Sequence, residues 1–345
     1  MNSPEDEATK RGDSLRDKGD FDGAIAAYTE AIRLNPQNAQ PYSGRGRAYL
    51  RKGELDKAIA DCMKAIRLDP HGAEAYRVRG TVYGQKGDVE RGIADLTEAI
   101  RLAPKLPQAF YSRARLYDGK GEFDKAIADY TEAIRLNPEY ANAYWGLAYA
   151  YLKKGEFDKA IADYTEAIRL DPQCAGVYRG RAYVYFKKEE FDKAIADETE
   201  AIRLNPQSAE AYWGRAHVYA EKSEFDKAIA DYTEAIRLNP KCAEAYHERG
   251  RSYWTKADHD KAIADFTEAI RLNPEYAVAY CNRGGVYGER GDNDRAIADY
   301  TEAIRFNPNF AEAYYNRGRT YSEKGDHDKA EADFAQAKKL GFNGQ

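Results

Sequence analysis

Apolar residues recur three and four positions apart in short blocks along the whole chain, and the blocks come in pairs. In ANAYWGLAYAYLKKGEFDKAIADYTEAIRLDPQC, residues 141–174, Tyr144, Ala148 and Tyr151 share one helical face, and Ala160, Ile161, Tyr164, Ala167 and Ile168 share another. The spacing predicts two short amphipathic helices, A and B, joined by a tight turn. Gly155 is placed to take the left-handed conformation that closes helix A. Phe157 is placed to staple the start of helix B, and Asp158 to cap its free N–H groups. Pro172 keeps helix B from running on.

The same pair of helices is written ten times. Prolines stand at Pro36, Pro70, Pro104, Pro138, Pro172, Pro206, Pro240, Pro274 and Pro308, each 34 residues after the last. With each proline as position 32, the repeats are residues 5–38, 39–72, 73–106, 107–140, 141–174, 175–208, 209–242, 243–276, 277–310 and 311–344. The chain therefore reads as one array, residues 1–345, with no room for another domain. Small residues at position 8 (Gly46, Gly80, Ala114 and Ala148) let paired helices approach closely. One repeat has too few large apolar side chains, at about 2 kcal/mol each when buried, to offset roughly 1–2 kcal/mol of backbone entropy per ordered residue. Stability must come from stacking. Glu331 and Lys338 replace interior isoleucines in the last repeat, and the tail KKLGFNGQ is polar. The first repeat carries Ala8 and Leu15 where aromatics stand elsewhere. Both ends read as polar caps.

An aromatic at position 4, Gly or Ala at 8, Tyr at 11, Ala at 20, an aromatic at 24, Ala at 27 and Pro at 32 resemble the tetratricopeptide (TPR) repeat signature over essentially the whole chain. One departure is systematic. Position 7, usually leucine in that family, is arginine (Arg45, Arg79, Arg113, Arg181 and equivalents), with Leu147 the sole leucine. The arginine stem can pack while its head pairs with an acidic residue of helix B, such as Asp61 or Glu98. The resemblance implies an all-α fold, a right-handed α-solenoid (superhelix) of ten helix-turn-helix repeats. It also implies that positions 2, 5, 6, 9, 12 and 13 of the A helices line a concave groove.

Charge and composition then narrow the function. The chain has 53 basic and 58 acidic residues, a net charge of −5, which gives no general attraction to nucleic acid or anionic lipid. No run of about 18 apolar residues is present to cross a bilayer, and the opening MNSPEDEATKRGDS lacks the apolar core of a signal peptide. Cys62, Cys174, Cys242 and Cys281 are too scattered for a disulfide framework, which fits a reducing, cytoplasmic setting. No phosphate-binding glycine loop, HExxH, CxxC or G-x-S-x-G motif is present, so the chain is expected to be no enzyme.

Helix B is nearly the same in every repeat (DKAIADYTEAIRL), whereas the groove positions of helix A vary in kind. Candidate peptide-binding residues are Arg77, Tyr111, Arg115, Trp145, Tyr149, Arg179, Tyr183, Phe186, Trp213, His217 and Trp254. Such aromatic and arginine side chains dominate binding hot spots; some of the aromatics serve equally well as packing between helices. Lysine is absent from position 5, and only Asn282 and Asn316 occupy position 6. Neither the carboxylate-clamp set nor the long asparagine ladder of other TPR subclasses is therefore matched. His217, Cys242, His247 and Cys281 have the chemistry of zinc ligands, but neighbouring A helices about 8–10 Å apart are wide for a zinc shell, so no metal or other cofactor is expected.

The expected function is a scaffold for a protein or peptide ligand with acidic and apolar residues. The alternatives are a self-associating homo-oligomer and, further off, an adaptor regulated by a metal or small molecule. Repeats two to six carry Arg47, Arg51, Arg77, Arg115, Lys153, Arg179 and Lys187 at groove positions against Glu74 and Asp118. Repeats seven to ten carry Arg251 and Arg319 against Glu210, Glu221, Glu244, Glu248, Glu289, Glu312 and Glu323. A bound segment should thus place its acidic residues toward the N-terminal half. Repeats six to eight are expected to be the softest interior part: their A helices end in Glu189, Ser223 and Ala257 instead of glycine, and Glu198 replaces the ring of Tyr130, Tyr164 and Tyr232. A nearby arginine such as Arg181 would remove the second fault.

Overall fold

The computed structural model describes residues 3–342. Those residues form twenty α-helices, α1 (Pro4–Asp17) to α20 (His327–Lys339), and no strand. The chain divides into two compact units, Met1–Pro172 and Gln173–Gln345. Within each unit the helices come in antiparallel pairs: helix A packs on helix B of its own repeat, and B on helix A of the next. In residues 141–174 these are α9 (Ala141–Lys153) and α10 (Phe157–Leu170), as the apolar spacing predicts.

The turn between A and B depends on one left-handed residue. Gly155 has φ +75°, and Glu189, Ser223 and Ala257, at the same position in repeats six to eight, take φ +60°, +60° and +57°. The turn is not rebuilt around these side chains, so each retains strain on the order of 1 kcal/mol. Capping differs from expectation. Asp158 is the second residue of α10, and Phe157 its first; the N-cap is Glu156, which makes no side-chain cap bond. The glutamate carboxylate instead pairs with Lys159 at 2.6 Å. A shorter aspartate at the cap position does reach the backbone, as Asp88 does in accepting from the Arg91 N–H at 3.3 Å.

Alanines at positions 20 and 27 and the ring at 24 form the core of each pair, as with Ala126, Tyr130 and Ala133, or Ala228, Tyr232 and Ala235, all buried. Gly80 shows why position 8 is small. A Cβ there would stand 2.9 Å from the carbonyl oxygen of Gly92, so the two helices touch backbone to backbone. At the C-terminal end Glu331 and Lys338 are exposed, while residues 343–345 of the polar tail lie outside the described residues.

The arginine at position 7 is the main polar element of the interior. Arg45 Nε and Nη2 donate to the two carboxylate oxygens of Asp61 at 2.7 and 2.8 Å. Arg79–Asp95, Arg113–Asp129, Arg181–Asp197, Arg215–Asp231, Arg249–Asp265, Arg283–Asp299 and Arg317–Asp333 repeat the fork. A third N–H reaches back to helix B of the preceding repeat, as Arg45 does to Thr29 and Arg249 to Thr233, both at 3.0 Å. The head therefore ties three helices together. Tyrosines at positions 4 and 11 flank it: Arg45 lies 5.8 Å from the Tyr42 ring and 5.9 Å from the Tyr49 ring. Of the two helix B partners foreseen, Asp61 is the one used; Glu98 pairs with Arg101, three residues on in its own helix.

Two repeats lack one half of the fork. In repeat one Ala27 stands in place of the aspartate, and Arg11 turns to Glu30 instead. In repeat five Leu147 replaces the arginine, and burial pushes the carboxyl of Asp163 up to about 6. Glu198 is a different irregularity. It is 6% exposed, its Oε1 lies where a Cβ on Gly214 would fall 2.4 Å away, and its Oε2 has no hydrogen-bond partner. Arg181 is committed to Asp197, so the nearest cation is Arg179, its Nε 3.9 Å away and also unbonded.

Removing one member of a buried fork strands the other, so Arg215→Leu should cost about 2 kcal/mol in urea unfolding. Arg215→Leu with Asp231→Leu should recover most of it. A single-variant loss no greater than about 0.5 kcal/mol, the range of ordinary surface changes, would show that the fork is decorative. Repeat five already carries this defect, and its pH sense follows from the raised pKa. The folded state holds the Asp163 proton more tightly than the unfolded state, whose value is about 3.9. Its favourable term is therefore lost as pH rises from about 4 through 6. Asp163→Asn should melt higher than the native chain at pH 7.5 and the same at pH 4.

Glu198 obeys the same sign over a wider window. Burial pushes its carboxyl up to about 8; Arg179 and Arg215 pull it down and Asp197 pushes it up. Stability it supplies as the neutral acid should fall away between about pH 4 and 8. Glu198→Gln should flatten that dependence, and Glu198→Tyr should raise the melting temperature most at pH 9. Hydrogen exchange gives an independent check: amides of residues 175–208 should exchange faster than those of 141–174. Equal protection, with no gain from Glu198→Tyr, would remove the weak point.

Candidate functional site

In the first unit the A-helix positions named from the sequence open onto two adjoining cavities. One, of about 400 Å³, is lined by Tyr111, Arg115, Asp118, Asn142, Trp145 and Tyr149. Trp145 and Tyr149 are 37% and 39% exposed, and Arg115 is exposed. These rings stand one helical turn apart on α9, which is why they present together. Tyr111 has less freedom, because it is wedged against Tyr130 and Tyr140 at ring distances of 5.9 and 5.0 Å. Asp118 Oδ1 is buried without a partner, and burial raises its carboxyl to about 6 against the pull of Lys153 and Arg115. The second cavity, of about 690 Å³, shares Tyr111 and Arg115 with the first. Arg77 lies in its wall, 9% exposed, with its head held by both oxygens of Glu74 at 2.7 and 2.6 Å.

In the second unit Arg179 and Trp213 line a cavity of about 290 Å³ together with Glu210, Asn239, Cys242 and Glu244. Trp213 stacks on His217 at 5.3 Å and 6° between planes, and His217 meets Phe186 at 5.0 Å. The Trp213 Nε1 and His217 Nδ1 atoms have no hydrogen-bond partner. Tyr183 is 50% exposed. Trp254 is already engaged: its Nε1 donates to Glu289 at 2.8 Å, its ring meets the Phe266 ring edge-on, and it lies over Gly285. The four groups considered for zinc have separate surroundings. His247 is buried between Glu248 and Asn282, Cys281 is buried with its thiol pushed up to about 12, and Cys242 is the N-cap of α15 (Ala243–Thr255). Among the described residues no group of three or more such side chains is placed to hold a metal.

Sequence reasoning missed Arg16, which lines the 690 Å³ cavity from repeat one. It stands at position 12, a groove position, yet the charge density of that repeat marked it only as a cap. It also missed that position 5 is a wall position in several repeats, although Trp145 at the same position is exposed. Tyr111, His247 and Tyr315 each lie against the ring at position 24 of their own repeat.

Tetratricopeptide repeat models match residues 9–73, 111–175, 150–209, 179–240 and 214–277, and further ones match 73–106 and 311–340; a TPR repeat model matches 286–325. No curated protein matches the sequence. Among solved structures, pilF of Pseudomonas aeruginosa is similar at 18% identity and a TM-score of 0.54, over 59% of this chain and 92% of that one. A tetratricopeptide repeat protein from Parabacteroides merdae is similar at 22% and 0.51, over 72% and 98%. The APC/C hetero-tetramer Cut9-Hcn1 gives 15% and 0.50, over 99% and 94%. These likenesses concern the fold, and among the described residues no helix is long and apolar enough to cross a membrane. With the family models covering well over half of its residues, and with ten helix-turn-helix pairs of matching period, the chain belongs to the tetratricopeptide repeat family.

Proposed function

We propose that this chain is a non-catalytic scaffold that binds a segment of a partner protein along its A helices, with apolar anchors and acidic side chains on the segment. The observation that carries the reading is the exposed pair Trp145 and Tyr149 at the edge of a cavity that also holds Arg115. Exposed large rings beside a concavity are costly to leave in water and are the usual anchors of protein interfaces. Arg47, Arg51 and Arg115 supply the basic side of the same unit. Glu289, Glu312 and Glu323 outnumber Arg319 around a cavity of about 390 Å³ in the second unit, which suits basic residues of a ligand there.

Trp213 is a poorer probe of binding than Trp145, because it packs against Ala216, Ala228 and Tyr232 and its loss would open the core. The informative variant is Trp145→Ala with Tyr149→Ala. Its melting temperature should stay within a few degrees of the native chain, while capture of partner segments from the source cytosol is lost. Affinity for a captured segment should fall as salt rises from about 0.05 to about 0.5 M, since charge pairing at exposed arginines is screened. A steep loss of melting temperature would place both rings in the core and sink the reading. Light scattering that rises with concentration in the absence of any captured segment would favour self-association instead.

A further inference from the structure

The 690 Å³ cavity of the first unit is lined by five arginines, Arg16, Arg47, Arg51, Arg77 and Arg115, and by one carboxylate, Asp17. Two of the five are neutralised. Arg77 is held by Glu74, and Arg16 by Asp13 at 2.8 Å and Asp17 at 3.0 Å. The other three have no full partner. Arg47 approaches Glu74 only to 3.7 Å, Arg51 lies over the Phe21 ring at 5.8 Å, and Arg115 has the neutral Tyr111 phenol beside it but no ion pair among the described residues. Positive charge is crowded here: burial and the adjacent Arg77 hold the Arg47 guanidinium below its ordinary range. Burial pushes the phenol of Tyr140, which lines the same cavity, up to about 12, and Arg77, Arg115 and Arg47 pull it back. Gln85, Gln108, Thr81 and Ser112 add neutral polar groups to the wall.

A guanidinium only donates hydrogen bonds, so a wall of this kind is complemented by acceptors carrying negative charge. One carboxylate brings a single charge and two oxygens. A phosphomonoester brings a charge of about −1.5 to −2 and three acceptor oxygens, which better matches three under-partnered arginines. We propose that this cavity binds a phosphomonoester carried on a phosphorylated side chain of the partner segment. The assignment rests on the segment-binding reading above. The two cavities share Tyr111 and Arg115, so a segment anchored on Trp145 and Tyr149 leads directly into the arginine cluster.

The test uses the full chain, with phosphoserine, inorganic phosphate, glutamate and sulfate as probes at matched ionic strength, followed by calorimetry and melting. Phosphoserine should bind about tenfold more tightly than glutamate, the difference that one further charged hydrogen bond supplies. Its affinity should climb as pH rises through about 6, where the second phosphate proton leaves. Arg47→Gln with Arg115→Gln should abolish the preference, with circular dichroism confirming an unchanged fold, whereas Trp145→Ala should leave it intact. A preference that is absent, or that survives in the arginine variant, overturns the proposal. Phosphatase treatment of a captured segment should weaken it by about tenfold. If phosphoserine binds but the segment is indifferent to phosphatase, the site serves a free phosphomonoester and the partner-borne assignment falls. A segment that binds through Trp145 with no preference for phosphoserine leaves the scaffold reading standing and removes this one alone.

Discussion

The rest of the architecture depends on the fork between the arginine at position 7 and the aspartate at position 23. A bidentate pair fixes distance and direction together, and the spare N–H of the same head reaches the threonine of the preceding helix B. One side chain thereby sets both the angle within a repeat and the spacing to its neighbour. Such a pair tolerates little change, because a partly buried charge that loses its partner is worse than no charge. This gives a physical reason for the near-constancy of DKAIADYTEAIRL: the aspartate, the threonine and the alanines beside them all lie within the reach of the fork or of the ring it borders. Repeat one shows the constraint from the other side. Once Ala27 removes the acceptor, Arg11 finds another carboxylate in Glu30 rather than going without.

The fold was legible because every signal in a repeat points the same way and is then written ten times. Period 3.6, a glycine turn and a terminal proline agree with one another, and the left-handed backbone at Glu189, Ser223 and Ala257 shows that the repeat geometry prevails even where the residue type resists it. The errors were local and have local causes. Asp158 looked like a cap because it sits next to the turn, yet helix B begins two residues earlier than a cap there would require. Asp61 and a glutamate three positions further on were both open as arginine partners from spacing alone. What separates them is which carboxylate another arginine already holds, and Arg101 takes Glu98 from within its own helix.

The site was legible in outline only. Spacing identifies which residues belong to the A helices and share a face, so Trp145, Tyr149, Tyr183 and Arg115 could be named. It does not reveal which of them another side chain has already engaged. Arg77 and Trp254 share the face but are engaged by Glu74 and Glu289. Glu74 stands one turn from Arg77 on its own helix, whereas Glu289 belongs to the next repeat, whose Gly285 leaves room for the indole. Arg16 was hidden for the opposite reason. Its surroundings are so charged that the sequence suggests solvent, although Asp13 and Asp17 hold it against the cavity.

Position 5 of helix A leans toward the wall and position 9 toward the surface. At position 5, Arg77, His247 and Cys281 are buried, Tyr111, Arg179 and Trp213 are half-buried and Trp145 is exposed; at position 9, Arg115, Tyr149, Tyr183 and Arg251 are exposed and His217 is half-buried. In repeats four, six, eight and ten the side chains at positions 5 and 24 meet, so a change at position 5 there must be answered at position 24. Repeat six shows such an answer: where other repeats pair two rings, it pairs Arg179 with Glu198. The exchange is imperfect, since both heads keep an unbonded atom. The exposed residues at position 9 have no such dependent, unlike His217, which stacks on Trp213, and Gly285, which makes room for Trp254. Those exposed residues can change their chemistry without disturbing the fork, the ring or the turn, so binding specificity can drift there at little cost to the fold, and the arginines and tyrosines now found among them are what such freedom would leave.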